Sequence, residues 1–124
     1  MMLYRLQRPG TVDLEFEGDL LADESTREDS RGSRQVDHSR WTEIRIYRLA
    51  SGEGWVTESV GKSKRRGEVD RPRVVVCRTP DEVRVSLHRR PDDPESYLIH
   101  AAVDALDEAA LRDSRLQGVA TDRL

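Results

Sequence analysis

"RWTEIRIYRLASGEGWVTESV", residues 40–60, decides how the rest of the chain is read. Over residues 41–49 the side chains alternate, with Trp41, Glu43, Arg45, Tyr47 and Leu49 on one face and Thr42, Ile44, Ile46 and Arg48 on the other. The period of two and the β-branched and aromatic content predict a strand. Ser51, Gly52, Glu53 and Gly54 follow, and the two glycines supply the positive φ that a tight connection needs. Residues 55–60 then return as an antiparallel partner. An antiparallel hairpin is therefore the seed of the fold.

On its N-terminal side, residues 11–22 set Val12, Leu14 and Phe16 against Asp13, Glu15 and Glu17, the pattern of a half-buried strand, with Gly18 marking a turn or bulge. Leu3 to Leu6 predict a further short strand, turned at Pro9 and Gly10. On the C-terminal side, residues 62–71 carry no apolar periodicity apart from Val69 and predict an exposed loop. Residues 73–77, RVVVC, are a short continuous apolar run of the kind that fills the middle of a sheet, with Cys77 as a small buried hydrophobe.

Two helices follow. Thr79, Pro80, Asp81 and Glu82 form a capping box with proline at the first helical position, which predicts a helix over 80–90. Val83, Val85 and Leu87 also alternate as in a strand, but Val83 and Leu87 satisfy the i, i+4 spacing and the cap is specific. Asp93 as cap, Pro94 as first residue, and Leu98, Ala102, Ala105, Leu106 and Ala109 in phase predict a second helix over 94–112. Strands first and helices last give an α+β domain: a mainly antiparallel sheet of four or five strands with two C-terminal helices packed on one face.

A chain of 124 residues fits one domain. Its content is 35% hydrophobic, 36% charged and 5% aromatic, so the core is expected to be small and largely aliphatic. The expected organisation is a single domain over 1–113, a mobile polar loop at 23–40, where Val36 is the only aliphatic residue after Ala22, and a C-terminal tail at 114–124. One cysteine excludes an internal disulfide framework and most cysteine-based zinc sites, and suits a reducing compartment. No stretch approaches the roughly 20 apolar residues that span a bilayer, and the start, MMLYRLQRPG, has no signal-peptide apolar region. The expected location is cytoplasmic, with no membrane partner.

Charge is informative through its distribution. Of the 21 cations only Lys62 and Lys64 are lysine, an arginine bias that a GC-rich coding genome produces without functional demand, and the net charge is −3. Residues 60–73 nevertheless hold six cations against two acids, whereas 92–113 hold seven acids against Arg112. The molecule is electrically polarised.

Sites of chemistry are scarce. Gly61, Lys62 and Ser63 resemble the end of a phosphate-binding loop, but Val56 stands where that loop needs glycine and no helix is predicted next. His100 and Asp104, one turn apart, are the only hint of a metal-dependent enzyme, and two ligands without a second fixed pair carry little. No Ser-His-Asp or paired-carboxylate arrangement stands out, so no enzyme activity, cofactor or metal is expected. Binding fits better. Base stacking on Trp41, Tyr47 or Trp55 beside cations would suit single-stranded nucleic acid, yet a chain this poor in large apolar residues needs those rings for its own sheet. The candidate contact residues are Lys62, Lys64, Arg65, Arg66, Arg71 and Arg73 of the basic segment, with Arg45 on the hairpin.

The FEGDLLA stretch at 16–22, followed after a polar gap by IYR at 46–48, a glycine-containing turn and a returning strand, resembles the central segment of the EXLDI family of small actinobacterial proteins. The resemblance covers about the middle half of the chain, which lacks that family's N-terminal segment and its C-terminal signature. It implies a shared sheet and an accessory rather than a metabolic role. The expected function is a non-catalytic intracellular binding or accessory domain that contacts a macromolecular partner, a protein before a nucleic acid, through the hairpin and the adjacent basic loop, as part of a larger assembly. The alternative is a sequence-tolerant nucleic-acid binder acting directly through the same surface, and the second alternative is a small metal-dependent enzyme.

Overall fold

The computed structural model describes residues 1–26, 39–90 and 96–122. Five strands, β1 (Met2–Leu6), β2 (Leu14–Ser25), β3 (Arg40–Leu49), β4 (Trp55–Ser63) and β5 (Arg71–Cys77), form one antiparallel sheet in the order β1-β2-β3-β4-β5. Two helices follow, α1 (Pro80–Ser86) and α2 (His100–Arg112), and then a 3-10 turn, Ser114–Leu116. The α+β class, the five strands and the C-terminal helices are those the sequence pattern predicts.

The hairpin forms for the reasons its sequence supplies. Arg48 stands opposite Trp55, Tyr47 opposite Val56 and Ile46 opposite Thr57, and Gly52 takes φ of 76° in the connection. Gly54 is required for a different reason: a Cβ there would overlap the Cys77 carbonyl oxygen of the neighbouring strand. Gly18 is not a turn. It lies inside β2 opposite Leu49, where a Cβ would overlap the Arg48 carbonyl oxygen. The irregularity in β2 comes later, between Leu20 and Ala22.

That bulge inserts Leu21 and reverses the phase of the strand, so β2 feeds both faces of the sheet. After it, Leu21 and Ala22 join Ile44, Ile46, Trp55 and Cys77 under the helices. Before it, Leu14 and Phe16 join Tyr4, Leu6, Tyr47 and Val56 on the other face. Tyr4, Phe16 and Tyr47 pack with centroids 4.6 to 5.5 Å apart. Leu6 of β1 shares this cluster with Val56 of β4, three strands away in order, which requires the sheet to curl. Burial of Tyr47 pushes its phenol pKa up.

α1 begins at the predicted box: Thr79 Oγ1 accepts from Glu82 N at 3.2 Å, and Glu82 Oε2 accepts from Arg78 N. It is shorter than 80–90, because Ser86 bends back to bond the Val83 carbonyl at 2.7 Å while Arg89 and Arg90 bond Tyr97 and Ser96. Those same bonds tie Ser96 and Tyr97 to the segment after α1, and Ile99 is extended, so α2 starts at His100 rather than 94; the predicted cap at Asp93 and Pro94 falls outside the described residues. Ala101, Ala102, Ala105, Leu106 and Ala109 lay their small side chains against β2 and β3.

Three further expectations need correction. The apolar run of β5 is an edge strand rather than a central one, since β4 is its sole neighbour among the described residues. Its valines gain cover from α1 on one face and from the curl on the other, and Val76 stays 48% exposed. Residues 23–25 of the predicted polar loop belong to β2, while 27–38 fall outside the described residues. The expected tail is part of the core: Leu116 is 1% exposed, and Val119 and Ala120 pack beside it. Asp113 organises this end. It accepts from Trp55 Nε1 at 3.1 Å and from Arg115 Nη2 at 2.8 Å, and the Arg115 guanidinium lies 4.6 Å over the Trp55 ring.

Candidate functional site

At the other end of the hairpin, where β3 begins and β4 ends, the strands and the 64–70 loop enclose a cleft of about 610 Å³. Among the described residues its charged lining is Arg40, Lys62, Arg71 and Arg89 against the carboxylate of Glu68, with Thr42, Ser63 and the Trp41 edge between them. β3 and β4 place Arg40 opposite Ser63 and Trp41 opposite Lys62, and β5 brings Arg71 beside Gly61. Gly67, at φ of 84°, turns the loop back so that Glu68 meets Arg40. Arg40 Nη2 donates to both Glu68 oxygens at 2.8 Å, and this bond holds the Glu68 carboxyl below its ordinary pKa.

The predicted contact residues divide. Lys62 lies at the end of β4, not in the loop, and pairs with Asp70 at 3.1 Å. Lys64 sits 5.9 Å over the Trp41 ring. Arg65 Nε donates to Ser39 Oγ at 2.8 Å and lies 3.9 Å from Glu68. Arg66 and Arg71 are exposed and make no ion pair among the described residues.

Arg73 and Arg45 are occupied elsewhere. Arg73 runs beneath α1, where Nη2 donates to the Ser86 and His88 carbonyls at 3.0 Å and covers the end of the helix. Its Nε is buried without a partner, and burial draws the guanidinium pKa down. Arg45 lies on the face opposite the helices, 2.8 Å from Glu43, 3.2 Å from Glu58 and 3.4 Å from Asp23. Burial works against its charge, but the bond to Glu43 and the Asp23 and Glu58 carboxylates outweigh it and the pKa rises.

Sequence reasoning missed Arg40, Glu68 and Arg89. Arg40 carried a usable signal, because the strand that begins at Trp41 extends in phase by one residue. Arg89 carried none, as it reaches the cleft only through the bend after α1, where Nη1 meets the Tyr97 hydroxyl at 3.1 Å.

The hairpin rings are not open platforms. Trp55 and Tyr47 are buried, and Trp41 is half-buried, with Nε1 donating to Glu43 at 2.9 Å. Gly61, Lys62 and Ser63 lie in β4, followed by the loop instead of a helix N-terminus. His100 is exposed at the start of α2, and among the described residues no three His, Cys, Asp or Glu side chains gather as a metal set. Cys77 is buried beside the Thr57 and Ser86 hydroxyls, and burial pushes its thiol pKa up, away from nucleophilic character. Among the described residues no helix is long and apolar enough to cross a membrane. No family model, curated protein or solved structure matches the chain.

Proposed function

We propose that this chain is a non-catalytic binding domain of the cytoplasm that seats an acidic segment of a protein partner in the cleft between the hairpin end and the 64–70 loop, as part of a larger assembly. The observation that carries this reading is the lining of the cleft among the described residues: four cations against Glu68, of which Arg40 is held by Glu68 and Lys62 by Asp70, while Arg71 and the neighbouring Arg66 make no ion pair among those residues. A carboxylate-bearing segment supplies the missing counter-charge, and the serine and threonine hydroxyls supply donors around it. Single-stranded nucleic acid suits the surface less well, because stacking needs an open aromatic face and Lys64 sits over Trp41. The accessory role implied by the resemblance to the EXLDI family is compatible with the same reading.

The test uses the full chain and two fluorescent probes, a glutamate-rich peptide and a mixed-sequence single-stranded oligonucleotide, titrated at two salt concentrations. The peptide is expected to bind, and charge reversal at Arg66 and Arg89 to weaken it about tenfold or more. Binding of the oligonucleotide alone, with affinity falling steeply with salt, transfers the site to nucleic acid. Binding of neither probe removes the reading.

A further inference from the structure

Within residues 64–70 every residue is exposed except Glu68, which is half-buried in the wall of the cleft. Gly67, at φ of 84°, makes the turn that brings it there, and Val69, the only aliphatic residue of the loop, is 77% exposed. The loop therefore has no aliphatic anchor of its own, and what holds Glu68 in the cleft is polar. Arg40 Nε and Nη2 reach both carboxylate oxygens at 2.8 to 3.2 Å, Arg65 lies 3.9 Å away, and the Ser63 hydroxyl adds a further donor.

These are the groups that an incoming carboxylate would use. An arginine fork beside a hydroxyl binds the carboxylate of residue 68 and that of a ligand through the same bonds. The pair is also weak enough to exchange. The Arg40 side chain is 55% exposed and that of Glu68 27% exposed, and an ion pair in such contact with water favours its closed form by no more than about fivefold. Among the described residues no atom lies within 4 Å of where a Cβ on Gly67 would stand, so the bend has open space to move into.

We propose, resting on the acidic-segment reading of the cleft, that Glu68 is a built-in stand-in for the ligand: it occupies the place on Arg40 that one carboxylate of the bound segment takes, and binding displaces it. Glu68 is then an autoinhibitory residue of the site, and a segment must win Arg40 from it. Removing Glu68 strengthens binding, whereas removing a residue that only shapes the cleft would weaken it. Arg40, paired in the structure at hand, becomes a direct contact of the bound segment.

The test titrates the full chain with the glutamate-rich fluorescent peptide at one fixed salt concentration. Glu68→Gln is expected to tighten binding about three- to fivefold, the factor by which the closed pair depletes the competent form. That variant also removes a negative charge, so two others hold the charge constant. Glu68→Asp is one methylene shorter and fits Arg40 less well, and it is expected to tighten binding about twofold. Arg40→Lys, added to Glu68→Gln, keeps the cation but loses the fork, and it is expected to weaken binding about threefold or more. Circular dichroism confirms that each variant is folded. A Glu68→Gln variant that binds no better than the parent overturns the proposal and leaves the acidic-segment reading standing. So does a Glu68→Asp variant with the parent's affinity, or an Arg40→Lys exchange that leaves the affinity of the Glu68→Gln variant unchanged. If neither the parent nor the Glu68→Gln variant binds the peptide, the reading of the cleft fails and the proposal falls with it.

Discussion

The two ends of the β3–β4 hairpin draw on the same arginine-rich composition and use it in opposite ways. At the turn end, Arg48 pairs with Asp19 at 3.3 Å, Arg112 donates to the Leu21 carbonyl at 2.8 Å, and Arg115 bonds Asp113 and the Gly52 carbonyl. Each cation there closes one element against another. At the opposite end Arg66 and Arg71 make no ion pair among the described residues, and Arg89 meets only a phenol oxygen. Arginine abundance therefore says little until its partners are known; an unneutralised cation on a cleft wall differs from a latch of the same residue type.

The comparison breaks most visibly at Trp55. Removing its ring by Trp55→Ala empties the space under α2 and leaves Asp113 without a buried donor, at a cost of about 3–5 kcal/mol. Urea unfolding followed by circular dichroism measures it, and a loss under about 1 kcal/mol would mean that the turn end is not a latch.

A smaller effect is expected from acid. The bond from Arg115, reinforced by that of Trp55, holds the Asp113 carboxyl below its ordinary 3.8 despite burial. A depressed folded value means that the unfolded chain binds its proton first as pH falls. The stabilisation is thus complete above the ordinary value and is lost as pH drops below 3.8 toward the folded value. Asp113→Asn should remove that part of the pH dependence of the melting temperature, and a variant with the parent slope would assign the acid sensitivity elsewhere.

The smallest effect belongs to the open end. Arg66→Ala and Arg71→Ala should change stability by no more than about 0.5 kcal/mol, as solvated charges do. A clear loss in the same urea experiment would show that these cations hold the fold together, and the contrast between the two ends would disappear.

Most of the architecture was legible because it rests on local pattern. The alternation of residues 41–49, the glycines of the turn and the capping box at Thr79 each specify geometry within a few residues. The misread elements depend on distant ones. The valines of β5 read as central because both faces gain cover, yet which strand lies beside them is set by topology. Leu116 looks like part of a polar tail until α2 carries it to Trp55. The candidate site was half legible for the same reason: a count of cations in residues 60–73 locates the basic end, but cannot tell Arg73, folded under α1, from Arg71, which faces the cleft. Arg40 and Glu68, 28 positions apart, meet only through the sheet.

The extra residue in β2 makes its length, as well as its composition, part of the design. Substituting Leu21 alters one side chain under α2, whereas deleting it would rotate everything upstream by half a strand period. Leu14 and Phe16 would then face away from Tyr47, and Glu15 and Glu17 would enter the aromatic cluster in their place. The connection at residues 7–13 is under no such constraint, so a lost residue there shortens a loop and leaves both cores their own side chains. A single codon lost from residues 7–13 would be tolerated, and one lost at Leu21 would be ruinous.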